Sequence, residues 1–307
     1  MPPEDDRSPI LVIGTGELGN AVLRAMLPRA AETDIRIDVL VRSTRNSDTD
    51  FVQTGGRPVV CDIAAASEAE LAALFGHYDT IVSCIGFAVG SGMQLKLARA
   101  ALASGVRRYF PWQFGADYDA LGRGSPQPLF DEQLDVRGLL REQTAMRWVI
   151  VSVGMFTSFL FEPSFGVVDL DQGVVRALGS WDNAVTVTTP EDIGQLTTEI
   201  VFTEPEFSDE VVYLAGDTIT YARLAKIVEH LLARSIDREV LTVPDLMADL
   251  ADSPGDTMRR YRAVFAIGRG MWWNKAQTFN ARENIAVTDA ESWLRAHLAD
   301  KRQESVA

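Results

Sequence analysis

The chain has 307 residues, of which 47% are hydrophobic and 23% are charged, and its formal net charge at pH 7 is -14. A chain of this length can bury a large core, in one elaborate domain or in two closely associated ones. The acidic balance argues against nucleic-acid binding, which depends on clusters of Lys and Arg. Cys61 and Cys84 are the two cysteines, and both lie beside apolar runs. We therefore expect reduced thiols, with no disulfide and no metal site.

The amino terminus, "MPPEDDRSP", is acidic and lacks the apolar segment of a signal peptide. No apolar run approaches the roughly 18 residues that a membrane-spanning helix needs. The sequence therefore predicts a cytoplasmic protein that contacts neither nucleic acid nor a membrane. A homodimer is compatible with this composition.

Six short apolar runs rich in Val and Ile predict buried strands, at 10–14, 36–42, 57–62, 79–86, 107–112 and 147–153. Helical patterns alternate with them, as at 17–31 and 93–105. This alternation is typical of a doubly wound parallel sheet, the Rossmann α/β fold. We expect residues 1–154 to form a dinucleotide-binding Rossmann domain.

The alternation loosens after about residue 154. "TPEDIG" predicts a helix capped by Thr189 with Pro190 in its first turn, and "EVVYLAG" and "TYARLAKIVEHLLARS" predict a further strand and helix. We expect 155–307 to form a smaller, mixed α/β substrate-binding region that is partly interleaved with the Rossmann sheet.

A glycine motif lies at the end of the first predicted strand. "VIGTGELG" places glycines as G-x-G-x-x-G between that strand and a helix, where backbone can approach a pyrophosphate at the helix N-terminus. The motif therefore predicts a dinucleotide site. The residues we expect to bind it are Gly14, Thr15, Gly16, Glu17, Leu18 and Gly19.

The end of the second strand selects the cofactor. Enzymes that use NAD usually have Asp or Glu there, whereas this strand ends in Arg42, Ser43, Thr44 and Arg45. Guanidinium and hydroxyl groups suit the 2′-phosphate dianion, so these residues predict NADP(H). A solvated basic turn is the competing interpretation.

Three further segments end predicted strands at the same edge, where ligands bind in such sheets. They are "SCIGF", "FPWQFG" and "SVGMF". Loop and core packing would also account for any one of them. The cofactor contacts we expect from these segments are Cys84, Ile85, Gly86, Phe87, Trp112, Gln113, Phe114, Val153, Gly154, Met155 and Phe156.

Taken together, these motifs resemble the NmrA-like atypical short-chain dehydrogenase/reductases, and among them the isoflavone reductase and phenylcoumaran benzylic ether reductase group. The glycine motif is similar in position to that family's G-x-x-G-x-x-G, and "VLVRST" resembles its NADPH-selecting "VLVR". "RRYFPWQFG" is similar to its "KRFxPSEFG", "TPEDIG" to its "EEDIG", and "WWNKAQTFN" to its "VKGDQTNF". The likeness covers most of the chain and implies an NADPH-dependent reductase.

The chain departs from that family at its reactive positions. The family segment "FDDKxxVRxxIE" carries a catalytic lysine, and "FDEQLDVRGLLRE" has Gln133 there, in contact with cofactor or substrate by resemblance. Glutamine can orient a ligand but cannot serve as a general acid. Trp112 and Gln113 replace the Ser-Glu of "PSEFG", and the sequence has no Tyr-x-x-x-Lys pair. The competing interpretation of Gln133 is an exposed helix residue.

If a proton is moved, few groups are available to move it. Asp131 and Glu132 flank Gln133, although carboxylates in a first helical turn often act as caps. Asp117, Tyr118 and Lys275 are the other candidates, and we take Gln133, Asp131, Tyr118 and Lys275 as the catalytic set. Tryptophans and Phe156 suggest a flat aromatic site, at Trp112, Trp181, Trp272 and Trp273, or simply a core.

Three functions remain open at this point. The first is an NADPH-dependent oxidoreductase acting on a small aromatic or polyketide-like metabolite. The second is an NADP(H)-binding isomerase or cyclase of secondary metabolism, which the missing lysine would permit. The third is a non-catalytic, NADP-sensing regulator.

Overall fold

The structure is a computed structural model that describes residues 9–43 and 50–304. Its strands are β1 (Ile10–Ile13), β2 (Ile37–Val41), β3 (Arg57–Val60), β4 (Thr80–Ser83), β5 (Arg108–Phe110), β6 (Arg147–Ser152), β7 (Met155–Phe156), β8 (Val168–Asp169), β9 (Val174–Leu178), β10 (Ala184–Thr188), β11 (Glu210–Tyr213), β12 (Asp217–Thr220) and β13 (Asp237–Leu241). Its helices are α1 (Glu17–Glu32), α2 (Asp50–Gln53), α3 (Glu68–Phe75), α4 (Met93–Ser104), α5 (Tyr118–Leu121), α6 (Leu129–Arg141), α7 (Pro190–Phe202), α8 (Tyr221–Leu232), α9 (Val243–Asp252), α10 (Thr257–Ile267), α11 (Phe279–Arg282) and α12 (Ala290–Glu304).

A seven-stranded sheet has the order β11-β6-β5-β4-β1-β2-β3. The pairs formed among β1 to β6 are all parallel, with Ile10 opposite both Ile37 and Thr80. All six apolar runs of the first half are therefore strands of one sheet, and the predicted Rossmann fold is confirmed. The order reverses at β1, which places the chain after β1 and the chain after β4 at the edge where ligands bind in this fold.

The sheet is buried because its central strands are apolar on both faces. Every residue of β1 is buried, whereas the edge strand β3 is mostly exposed. On one face, Leu11, Ile81 and Leu97 belong to a core cluster that also takes in Val136 and Leu140 of α6. Helix α6 thus packs into the same core as α4.

An acidic side chain ties together the opposite, amino-terminal ends of the strands. The Glu206 carboxylate accepts hydrogen bonds from Arg107 and from Arg147, the latter at 3.0 Å. Arg107 also forms an ion pair with Asp79, at 2.8 Å. These contacts keep the pKa of Glu206 low, at about 2, chiefly through the hydrogen bond from Arg107.

The described chain forms two compact, discontinuous units. One lies within Met1–Phe114, Glu132–Val151 and Ile193–Val212, and the other within Gly115–Asp131, Ser152–Asp192 and Tyr213–Ala307. The chain after residue 115 thus contributes to both units, because α6 and α7 return to the first. The predicted functional division at residue 154 remains a prediction.

The second unit contains two three-stranded sheets, β12-β10-β7 and β13-β9-β8. Each combines a parallel and an antiparallel pair, so the predicted mixed architecture is confirmed. Thr189 caps α7 as expected, accepting from the Asp192 amide at 3.1 Å. The predicted strand "EVVYLAG" contains β11, which joins the large sheet beside β6. There it covers a strand that would otherwise be an edge.

Candidate functional site

The glycine loop between β1 and α1 is shaped by close backbone contacts. Gly14 has φ of +102°, and a Cβ there would lie 2.7 Å from Cγ1 of Ile85. A Cβ on Gly19 would lie 2.1 Å from the Gly14 carbonyl oxygen. These two glycines let the loop, the helix and the chain after β4 pack together, as a dinucleotide-binding turn requires.

The middle glycine of the motif faces open space. Gly16 is the exposed N-cap of α1, without a side-chain capping bond, and a Cβ there would meet nothing within 4 Å. The first amides of α1 therefore point to a place that an anion can reach. Around it, Glu17 is exposed, Leu18 is buried, and the Thr15 carbonyl accepts from Asn20 at 2.9 Å. The residues present fit a bound pyrophosphate.

The residues expected to select the cofactor are only partly described. Arg42 is exposed just beyond β2, and Ser43 is half-buried. Thr44 and Arg45 lie outside the described residues. An exposed guanidinium at this strand end suits a phosphate dianion.

The segments after β4 and β5 pack on each other. Phe87 and Trp112 meet edge to face, with ring centroids 4.5 Å apart. A Cβ on Gly86 would lie 3.0 Å from the indole of Trp112, so Gly86 leaves room for that ring. Cys84 is buried, which raises the pKa of its thiol to about 12 and makes it an apolar packing group.

A buried carboxylate joins α6 to α4. Glu132, only 7% exposed, accepts from the backbone amides of Gly92 at 2.8 Å, Gln94 at 2.9 Å and Leu95 at 3.3 Å. The Gln94 side chain in turn donates to the Ile85 carbonyl at 2.8 Å. Glu132 is therefore a cap, but of α4 and not of its own helix. Both carboxylate oxygens of Glu132 are thus occupied as acceptors of backbone hydrogen bonds.

Gln133 is fully buried, so its interpretation as an exposed helix residue is wrong. Its backbone carbonyl accepts from Nε2 of Gln113 at 2.9 Å, and Oε1 of Gln113 accepts from Nε of Arg137 at 2.7 Å. All three side chains have 0% exposure. By resemblance, Gln113 and Gln133 replace a glutamate and a lysine. The side chain of Gln113 is thus hydrogen-bonded to the backbone of Gln133 in a buried network.

The other predicted catalytic residues belong to the second unit. Asp131 accepts from the Gly124 amide at 3.1 Å, and Lys275 donates to the Gly216 carbonyl. Tyr118 is 1% exposed and packs on Phe130, with ring centroids 5.1 Å apart. Asp117 caps α5 and accepts from the Tyr213 hydroxyl at 2.9 Å. Asp131, Lys275 and Asp117 therefore all have structural partners.

The segment after β6 is held by the second unit's own sheet. The Val153 carbonyl accepts from Thr188 at 2.7 Å, and a Cβ on Gly154 would lie 2.1 Å from the Thr186 carbonyl oxygen. Met155 pairs with Val187 and Phe156 with Thr188. Of the tryptophans, Trp272 is 52% exposed, Trp181 is half-buried, and Trp273 donates to the Leu214 carbonyl at 3.0 Å.

The predicted residues thus divide between the units. The first contains the glycine loop, Cys84 to Phe87, Trp112 to Phe114 and Gln133. The second contains Tyr118, Asp131, Val153 to Phe156 and Lys275.

Sequence reasoning did not single out Arg137 or Gln94. Arg137 stands in "FDEQLDVRGLLRE", and its helical spacing from the apolar Phe130 and Leu140 was the available signal. Gln94 had no local signal, because its partner Ile85 lies in another segment.

Neither a metal site nor a membrane-spanning helix is found in the part of the chain that the structure describes. Residues 9–43 and 50–304 contain no group of three or more His, Cys, Asp or Glu that could bind a metal ion. Within the same residues, no helix is both long and apolar enough to cross a membrane.

Comparisons with known proteins place this geometry in a family. The chain is 42% identical over 296 residues to an NmrA-like family domain-containing oxidoreductase of Gibberella moniliformis, covering 93% of this chain and 97% of the relative. The fold is similar to that of a crystal structure of isoflavone reductase, with a TM-score of 0.78 at 17% identity over 95% of this chain and 99% of that one. It also resembles a binary complex of leucoanthocyanidin reductase with NADPH from Vitis vinifera, with a TM-score of 0.76 at 18% identity over the same shares of the two chains. The NmrA-like family matches residues 6–267. This chain belongs to the NmrA-like family.

Proposed function

We propose that the protein is an NADP(H)-dependent oxidoreductase. The observation that carries the proposal is the uncapped N-terminus of α1, open at Gly16 and accompanied by the exposed Arg42. A dinucleotide with a 2′-phosphate is the ligand that fits both features. The oxidoreductase name of the 42%-identical relative supports the same assignment.

The cofactor would be held chiefly by the glycine loop and by the chain that follows β2. The α1 amides beyond Gly16 would bind the pyrophosphate, and Arg42, Ser43, Thr44 and Arg45 the 2′-phosphate. The segments Cys84 to Phe87, Trp112 to Phe114 and Val153 to Phe156 would flank the rest, with Gln133. When bound, NADPH supplies the hydride that a reduction needs.

We assign a small aromatic or polyketide-like metabolite as the substrate, bound chiefly by residues of 155–307. Gln133 does not titrate, so it orients a bound group and leaves protonation to another residue or to water. Asp131, Tyr118 and Lys275 are the groups to test as proton donors, and Asp131 and Lys275 also bind backbone groups of the protein. A cytoplasmic location and a homodimer remain predictions.

One observation favours a second function. The buried side chains of Gln113 and Gln133 are neutral amides, so neither is a group that can protonate a reduced product. A redox-neutral isomerisation or cyclisation would not need one. In that case NADP(H) is retained while no net NADPH is consumed.

The proposal is tested by calorimetric titration with NADPH and NADH, followed by turnover of aromatic enones and benzylic ethers with products identified by mass. Preferential NADPH binding with a product two hydrogens heavier supports the reductase. A redox-neutral product favours the isomerase or cyclase. NADPH binding without turnover of any compound favours a regulator, and absence of NADPH binding contradicts all three.

A further inference from the structure

The side-chain amide of Gln133 is buried without a hydrogen-bond partner. The residue has 0% exposure, and neither Nε2 nor Oε1 bonds to any other residue within 9–43 and 50–304. A primary amide has two donors and two acceptor sites, and leaving them unpaired away from water destabilises the folded state. A buried polar group of this kind calls for an explanation, such as a bound water, an ion or a functional role.

The surrounding structure holds this amide in place. The Gln133 carbonyl is bonded to Gln113, and the carboxylate of the preceding Glu132 is bonded to the start of α4. Val136 and Arg137, on the next turn of α6, are 1% and 0% exposed. The backbone of Gln133 therefore cannot turn outwards to hydrate its side chain without breaking these contacts.

Gln113 provides an internal comparison. It is equally buried, but its amide donates to Gln133 and accepts from Arg137. Both polar atoms of the amide are thus bonded to the protein at one position, whereas neither is bonded at the other. Within 9–43 and 50–304 no residue satisfies the Gln133 amide, which leaves a ligand or an enclosed water as its partner.

We propose that the Gln133 amide binds a neutral ligand group in which a carbonyl and an N–H or O–H lie side by side, by donating one hydrogen bond and accepting another. This inference rests on the proposed function. Two sources carry such a group: the carboxamide of the nicotinamide ring, and a substrate with an amide or hydroxycarbonyl.

The test uses Gln133→Met, which keeps the length of the side chain and removes its polar atoms. The unfolding midpoint of the variant without ligand rises by about 2 °C or more, because the unpaired amide is gone. If the cofactor is the source, affinity for NADP+ falls about tenfold. Affinity for 2′,5′-ADP, which lacks the nicotinamide, stays the same. If the substrate is the source, NADP+ binds equally well and the affinity for benzamide at saturating NADP+ falls instead.

Gln113→Met is the matched control, and its midpoint falls because Arg137 and the Gln133 carbonyl lose a partner. A Gln133→Met midpoint that falls in the same way, or unchanged affinity for both NADP+ and benzamide, overturns the inference alone. Wild-type protein that binds neither NADP+ nor 2′,5′-ADP overturns the proposed function instead.

Discussion

The glycine loop and the buried stripe of α6 obey different constraints, although both belong to the first unit. In the loop, Gly14 and Gly19 are required by backbone atoms that a Cβ would strike. In α6, Gln133 stands at the position that is a lysine in the family it resembles, and the two polar atoms of its side chain have no hydrogen-bond partner. The shape of the glycine loop is thus fixed by backbone sterics, which tolerate little change. The proposed reactive position depends instead on a side chain, which can be replaced within the same fold.

The largest effect is expected at Gly19. In Gly19→Ala, the new Cβ would lie 2.1 Å from the Gly14 carbonyl oxygen, so the loop and α1 must separate. We expect a loss of about 3 kcal/mol or more in the free energy of unfolding, as for severe overpacking. Urea denaturation measures it, and a wild-type midpoint would show that the loop is not rigid.

Gly16 sharpens the comparison, because it belongs to the same motif but has open space around it. Gly16→Val should fold with nearly wild-type stability, since a Cβ at this position would lie in open space. It should nevertheless weaken NADPH binding at least about a hundredfold by filling the approach to α1. NADPH fluorescence enhancement is the measurement. Retained enhancement would mean that the loop is only a turn.

Arg42 tests the choice of cofactor at the end of β2. Arg42→Ala removes a charge-assisted contact with the 2′-phosphate and should cost about 1 to 3 kcal/mol of NADPH binding. NADH, which lacks that phosphate, serves as the control ligand and should bind as before. Equal wild-type affinities for the two cofactors in calorimetry would remove the assignment.

Changes at Gln133 test the other side of the comparison. Gln133→Ala should lower turnover about tenfold, roughly 1.4 kcal/mol, because orientation is lost but no acid is removed. Gln133→Lys should create or raise NADPH-consuming activity on aromatic enones or benzylic ethers. Steady-state kinetics with product masses distinguishes the cases. Wild-type behaviour in both variants would contradict the site assignment.

The smallest expected effect is on the free energy of unfolding at low pH. It concerns Glu206, at the amino-terminal ends of the strands of the large sheet. Arg107 holds the pKa of Glu206 down to about 2, so the carboxylate favours the folded state above its unfolded pKa, about 4.5. That stability, about 1 kcal/mol after solvent screening, is lost as pH falls from about 4.5 to about 2. In Glu206→Gln, the free energy of unfolding should decrease less over this pH range than in the wild type. An unchanged profile would assign the acid sensitivity to other carboxylates.

Much of the fold could be predicted because its signals are local. Apolar runs and helical patterns alternate along the first half, and each of the six runs became a strand of the large sheet. The segment "FDEQLDVRGLLR" lies in α6, but its sequence does not show which of its side chains are buried. Gln133 and Arg137 are fully buried there, whereas Leu134 and Leu139 are only half-buried. The sequence also does not show which strand pairs with β11, because its partner β6 lies far away in the chain.

The sequence by itself determined the Rossmann architecture and the glycine loop, since strand periodicity and glycine sterics act between residues close together in the chain. Only the tertiary structure decided what surrounds Gln133. Glu132 caps a helix that begins some 40 residues earlier, and Gln113 reaches the Gln133 carbonyl from the end of another strand. A polar residue looks the same in a sequence whether water or protein satisfies it. Only the tertiary structure shows that the side-chain amide of Gln133 is buried and that no neighbouring described residue forms a hydrogen bond with it.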